Sequence, residues 1–198
     1  MSLEMKKRRL VIGKRIFDLI LSVFLIISLS IPLAVIALWI KLSSKGSVIF
    51  WTDRVGINNI IFKMAKFRTM KTDTPQVATH LMENPEQYLI FCGKFLRRYS
   101  FDELPQLFNV LKGDMSFVGP RPALFNQDDL VALRTEKGIH RLIPGVTGWA
   151  QVNGRDELAI PVKVSFDEHY LKHRSFLFDL HIILLTALKV IKKEGVTH

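Results

Sequence analysis

Residues 19–40 read LILSVFLIISLSIPLAVIALWI, 22 positions without a charged side chain. At a rise of ~1.5 Å per residue, this makes about 33 Å of helix, just enough to cross a hydrocarbon core of ~30 Å. Two features speak against a plain span. Pro32 removes one backbone hydrogen bond and opens a kink in mid-segment, and Ser28 and Ser30 stand ready to occupy the groups so freed. Basic residues also stand on both flanks, from Lys6 to Arg15 before the run and at Lys41 and Lys45 after it, so charge sets no inside–outside bias. A helix that enters, bends near Ser30 and Pro32 and returns to the same face satisfies both facts. The run is too long for a secretory signal, and no small-residue cleavage site follows it. A re-entrant membrane helix is therefore the expectation, with a single spanning anchor left open by the residues alone.

The charge follows that helix. The net charge is +10, and residues 1–71 hold 13 Lys and Arg against Glu4, Asp18 and Asp53, while the remainder balances to zero. A nucleic-acid binder spreads its cations over a docking face. Here they ring an apolar segment, an arrangement that attracts anionic lipid at roughly 1 kcal/mol per cation near the surface. Membrane lipid, and no nucleic acid, is the expected partner. A chain that is 48% hydrophobic is not disordered, and one long apolar run excludes a polytopic transporter. The single Cys92 cannot form an internal disulfide, which favours the cytosolic side. It sits in an apolar run and reads as core.

The 198 residues suit one domain of ordinary size. We divide them into a basic flank with the re-entrant helix (1–45) and a small mixed α/β (α+β) cytosolic domain (46–198). Strands are predicted at 47–52 and 60–67 around the turn composition Gly56-Ile57-Asn58-Asn59. A polar loop follows at 72–85, then helical character at 86–99. A short helix is predicted over 105–111 with Gly113 just beyond it, a strand at 115–118, and helices over 125–137, closed by Gly138, and 162–172. Residues 142–153 hold turns at Pro144-Gly145 and Gly148. Residues 176–191 (FLFDLHIILLTALKVI) are too short and too polar to span, and predict an amphipathic helix that is interfacial or packed on the core.

The chemistry-bearing residues cluster after position 65. Asp102-Glu103 opens the helix signalled by Pro105, where the positive helix end favours ionised carboxylates. One could attack phosphorus while its neighbour holds Mg²⁺, which takes hard oxygen ligands. The alternative is a capping box, since Ser100-Phe101-Asp102-Glu103 has the required pattern. From the pair alone, capping leads. Gly119-Pro120-Arg121-Pro122 shifts the weight, because prolines on both sides present one guanidinium with little entropy left to lose, as bidentate phosphate recognition requires. Lys66 and Arg68 lie two apart on a predicted strand and read as a cationic or merely solvated face. Gln151-Val152-Asn153-Gly154-Arg155 joins two amides and an Arg in a loop fit for a base edge or a pyrophosphate, or in an ordinary polar turn. His169 and His173 are spaced i, i+4, but with no Cys nearby and acids elsewhere a metal role is not expected of them. No Walker A, GxGxxG, GxSxG or zinc spacing occurs. The whole describes a site for a phosphate-bearing substrate at a bilayer surface.

Taken together, Lys66-Phe67-Arg68-Thr69-Met70, Ser100-Phe101-Asp102-Glu103-Leu104-Pro105-Gln106-Leu107 with Asn109, the run from Gly113 through Pro122, and Pro144-Gly145-Val146-Thr147-Gly148-Trp149-Ala150-Gln151-Val152-Asn153-Gly154-Arg155 resemble the bacterial sugar transferase family, the monotopic phosphoglycosyl transferases. The likeness runs from about Lys14 to Gly195 with the motifs in order. It implies a re-entrant helix in the bacterial inner membrane, with the site on the cytoplasmic face. It also implies transfer of a sugar-1-phosphate from a UDP-sugar to polyprenyl (undecaprenyl) phosphate, releasing UMP, as the first membrane step of a glycan pathway such as O-antigen or capsule. By carry-over Asp102 is the nucleophile, and Glu103 helps to bind Mg²⁺. Arg121, with Pro122, meets the phosphates, as do Lys66 and Arg68; Gln151, Asn153 and Arg155 border the nucleotide. A homodimer is a further expectation. The chain departs from the family pattern at Asn58-Asn59, where members often have Gly, and after Arg155, where longer members often carry Trp; the sugar stays open. It corresponds to the minimal form, without extra N-terminal membrane helices.

Two rivals use the same residues. A Mg²⁺-dependent hydrolase of lipid or nucleotide diphosphates would take water as acceptor. A non-catalytic membrane module would bind anionic lipid through residues 1–71, but the neutral part of the chain carries the densest polar motifs.

Overall fold

The computed structural model describes residues 3–74, 84–154 and 158–192. Helices α1 (Leu3–Ser28) and α2 (Ser30–Ser43) form the N-terminal segment, and α1 from Ile12 meets α2 at a bend of 62°. The break lies at Leu29, three residues before Pro32, whose ring cannot donate and crowds the preceding turn. The Ser30 hydroxyl donates to the Ile27 carbonyl at 2.8 Å, the local satisfaction that such a kink requires. Among the described residues no single helix is long and apolar enough to cross a membrane; this bent pair passes only when taken together, by length and composition. One face of both helices is exposed and apolar, with Ile16, Ile20, Val23, Ile27, Ile31, Val35 and Leu38 recurring every three or four positions.

The opposite face is docked. Ile36 and Ile40 pack with Phe67, Cys92 and Leu96, so Cys92 is indeed core. From α1, Lys14 pairs with Asp179 at 2.6 Å, and the Asp18 carboxylate accepts the Phe117 amide at 3.2 Å. Arg15 donates to the carbonyls of Val110 (2.6 Å) and Leu111 (2.8 Å). Those carbonyls end α4 (Gln106–Lys112), and a cation there also meets the negative helix end. Gly113 follows in the left-handed region at φ 102, the usual glycine stop.

Strands β1 (Ile49–Val55) and β2 (Ile61–Phe67) pair antiparallel, with Phe50 opposite Lys66. The predicted hairpin thus stands, closed by a turn at Ile57–Asn59 in which Asn58 and Asn59 both take positive φ, a conformation Asn tolerates. The helix expected at 86–99 is broken. Pro85–Tyr88 is a 3₁₀ turn, and residues 88–90 pair with residues 69–71, leaving only α3 (Gly93–Arg98). Most of the 72–85 loop lies outside the described residues. Two strands were not foreseen. β4 (Ala123–Leu124) pairs with β1, and β5 (Gly145–Thr147), in the stretch read as turns, runs parallel to β3 (Ser116–Val118). Both are too short for periodicity to reveal. Helix α5 (Asp128–Glu136), the single turn α6 (Trp149–Val152), α7 (Ile160–His173) and α8 (Phe176–Lys192) complete eight helices among the described residues, a small mixed α/β domain. Their main core joins Val118, Leu130, Ile139, Val164, Tyr170 and Ile182, and α8 leaves Leu177, Leu184 and Leu188 exposed along one side.

Candidate active site

Asp102 and Glu103 lie in a 3₁₀ turn, Phe101–Glu103, that leads into α4. The capping box does not form. Ser100 adopts the left-handed region at φ 55 and makes no side-chain cap; only its carbonyl accepts the Glu103 amide, at 3.2 Å. Positive φ is costly for a residue with a Cβ and is retained where the surroundings enforce it. Both carboxylates are thereby free of helix-capping duty.

Three elements aim cations at them. β2 presents Lys66, whose Nζ lies 2.8 Å from Glu103 Oε1 and 3.6 Å from Asp102 Oδ2. The loop between β3 and β4 presents Arg121, whose Nη2 reaches Glu103 Oε1 at 3.4 Å. At the end of α3, Arg97 acts electrostatically on Asp102 while its Nε donates to Thr69 Oγ1 at 3.0 Å. The two carboxyls answer differently. Burial raises both, but for Glu103 the charges of Lys66 and Arg121 and their hydrogen bonds prevail, so it is held well below the ordinary range. For Asp102 burial outweighs Lys66, and the charge on Glu103 pushes the same way, so its carboxyl is held above the ordinary value.

The residues expected from sequence divide plainly. Asp102, Glu103, Lys66 and Arg121 come together. Pro122 adjoins Arg121, and its carbonyl accepts from Arg54 Nη1 at 3.3 Å. Arg68 does not join them. Its Nη1 and Nη2 donate to the carbonyls of Lys45 (2.6 Å) and Ser44 (3.2 Å), behind the end of α2. The two-residue period fails there because Arg68 falls past the last strand residue, Phe67. Asn153 is exposed and donates to the Trp149 carbonyl at 2.7 Å, a local helix-end bond. Gln151 is buried against Gly148, with both amide atoms lacking a hydrogen-bond partner among the described residues. A side chain on Gly148 would run into the Gly119 carbonyl, so Gln151 lies beside the Arg121 loop. Arg155 lies outside the described residues. The His169 and His173 rings stack at 4.2 Å, and His173 Nδ1 faces the His169 carbonyl. Arg97 was missed as a site residue, although its place five positions before Asp102 was a usable signal.

Among the described residues no group of three or more His, Cys, Asp or Glu side chains could hold a metal ion. Asp102 and Glu103 offer two adjacent hard carboxylates. That set fits Mg²⁺, which binds through one or two carboxylates and fills its shell with water and substrate phosphate oxygens.

The family model described as bacterial sugar transferase matches residues 8–193. An uncharacterized sugar transferase, EpsL, of Bacillus subtilis is 41% identical over 185 residues, covering 92% of this chain and 89% of that protein. An undecaprenyl-phosphate glucose phosphotransferase of Komagataeibacter xylinus is 41% identical over 198 residues, covering 91% of this chain and 35% of that protein. The UDP-glucose:undecaprenyl-phosphate glucose-1-phosphate transferase of Escherichia coli is 40% identical over 184 residues, covering 89% and 39%. The chain therefore spans well under half the length of the latter two.

Proposed function

Because this chain belongs to the bacterial sugar transferase family, we propose that it moves a sugar-1-phosphate from a UDP-sugar to undecaprenyl phosphate, with Asp102 as nucleophile. The observation that carries the reading is the Asp102–Glu103 pair, Asp102 buried and Glu103 half-buried, faced by the three cations Lys66, Arg97 and Arg121, a setting suited to a diphosphate. The Asp102 carboxylate attacks the phosphorus that bears the sugar, the bond to the UMP oxygen breaks, and an acyl phosphate forms. A phosphate oxygen of the lipid then attacks the same phosphorus, and the Asp102 carboxylate leaves. Lys66 and Arg121 offset charge on the phosphoryl oxygens, and the fixed turn at Phe101–Glu103 aligns the attack. Glu103, with Asp102 beside it, would hold Mg²⁺, which when bound would neutralise charge on the departing UMP.

The bent helix pair fits a membrane-associated setting in which α1 enters the cytoplasmic leaflet and α2 returns to the same side. What supports this is the 62° bend together with the unbroken apolar stripe on both limbs. The site would then lie at headgroup depth, within reach of a lipid phosphate.

The test is UMP release in detergent with Mg²⁺ and a panel of UDP-sugars headed by UDP-glucose, with and without undecaprenyl phosphate, for wild type and Asp102→Asn. The expected result is lipid-dependent UMP from wild type and none from the variant. UMP formed at equal rates without lipid would replace the transferase with a hydrolase.

A further inference from the structure

Arg134 on α5 and Asp167 on α7 belong to none of the motifs, yet both are almost fully buried, at 7% and 1% exposure. Arg134 Nε and Nη2 both donate to Asp167 Oδ2, at 3.0 and 2.6 Å. The remaining arm, Nη1, donates to the main-chain carbonyl of Arg121 at 2.8 Å. Prolines at 120 and 122 have no N–H to anchor their segment, so its carbonyls are the main handles by which the fold can hold it. Each is taken by a different element. The Pro120 carbonyl accepts the Gly145 amide at 2.9 Å, that of Arg121 accepts Arg134, and that of Pro122 accepts Arg54 Nη1 at 3.3 Å.

We infer that Arg134, oriented by Asp167, is a positioning residue that fixes the Arg121 backbone and so aims the Arg121 guanidinium at Glu103 and the substrate diphosphate. The Arg121 side chain is 32% exposed and long, so the direction in which it leaves the main chain decides where its fork can reach. The Asp167 carboxylate cancels the Arg134 charge, so the pair contributes direction and little potential to the site. A guanidinium is required because one planar fork serves a carboxylate and a carbonyl at once; a lysine at 134 could keep the Asp167 partner and lose the Arg121 bond.

What Arg121 does rests on the transferase reading, whereas where Arg134 holds it does not, and two readouts separate these. The first is amide hydrogen exchange in the full chain without substrate. Arg134→Gln, or Arg134→Lys should the first fail to fold, is expected to speed exchange at Gly119 and Gly145, bonded to the Thr147 and Pro120 carbonyls, by about tenfold or more. The Ala65 amide, bonded to Asn109 Oδ1, keeps its rate. Unchanged exchange at Gly119 and Gly145 overturns the inference. The second is lipid-dependent UMP release in a double-mutant cycle. Arg134→Lys is expected to lower kcat/KM by about 10- to 100-fold in wild type, and by under about twofold when Arg121→Lys is already present. An equal loss in both backgrounds would mean that Arg134 acts without Arg121, and overturns the inference. Wild type that releases no UMP would sink the transferase reading instead, and the exchange rates alone would then decide.

Discussion

Arg121 stands between two carboxylate–cation clusters that share one chemistry, and their acids Glu103 and Asp167 are shifted in opposite directions. Its guanidinium meets Glu103, while its carbonyl meets the Arg134–Asp167 pair. At Glu103 two cations converge on one carboxyl oxygen and depress the carboxyl despite burial; at Asp167 burial outweighs Arg134, and the carboxyl is held above its usual value. The charges and hydrogen bonds of two cations outweigh burial at Glu103, whereas the charges of Lys66, Arg97 and Arg121 do not outweigh it at Asp102. The uses differ too: the Glu103 side is partly open to an anionic substrate, whereas Asp167 is closed off at 1% exposure. Asp102 resembles Asp167 in direction although it adjoins Glu103, because burial outweighs the nearby cations at both.

The sharpest way to break this contrast is Asp102→Asn. Turnover is expected to fall by about 10³-fold or more, read as UMP released per enzyme. Thermal stability at pH 7 should hold or rise, because the fold disfavours the charge that the variant removes. Since the folded Asp102 carboxyl titrates above its unfolded value, any such gain is complete above the folded value and vanishes below the unfolded one, where aspartate itself is neutral. A clear drop in the melting temperature at pH 7 would contradict the direction assigned to Asp102. Next in size, Asp167→Ala removes the acceptor of both Arg134 hydrogen bonds, strands a buried guanidinium and should cost about 3–5 kcal/mol in urea unfolding. A cost below 1 kcal/mol would show that the pair is not closed. Glu103→Gln should cost less, about 1–3 kcal/mol at pH 7, and the sign of its pH dependence is fixed by the depressed carboxyl. The wild-type advantage is full above the ordinary glutamate value and shrinks as pH falls from there toward the lower folded value; an advantage that grew on acidification would contradict the assignment. Smallest of all, Arg68→Lys should leave kcat/KM within about twofold while costing about 1 kcal/mol, since it loses bonds to Ser44 and Lys45 and none to the site. A tenfold rise in KM would return Arg68 to the phosphate-binding set.

The acidic pair, the proline-framed arginine and the bend near Ser30 and Pro32 were legible because each is a local pattern with a local cause. The helices of 160–192 and the hairpin of 49–67 were legible too, through periodicity and turn composition. What escaped reading depends on distance along the chain. Arg134 and Asp167 are 33 residues apart and carry no motif, and only the packing of α5 on α7 brings them together. Arg68 looked like a twin of Lys66 because nothing in its neighbours reveals that the strand stops at Phe67 and that the end of α2 waits behind it. The capping box was an error of the same kind. Ser100 has the right identity and spacing, and the left-handed backbone that disqualifies it is imposed from outside the four residues. The run at 86–99 had helical composition, and edge pairing with residues 69–71 prevailed over it.

The grip of Arg15 on the last carbonyls of α4 bears on any attempt to handle the catalytic part alone. A truncation beginning at residue 46 would leave the Val110 and Leu111 carbonyls, the Phe117 amide and the Asp179 carboxylate without the partners that α1 supplies. The same contacts govern chimeras. An N-terminal segment borrowed from a relative keeps these contacts if it brings a lysine, an arginine and an aspartate in the register of 14, 15 and 18, so these three positions form a splice code.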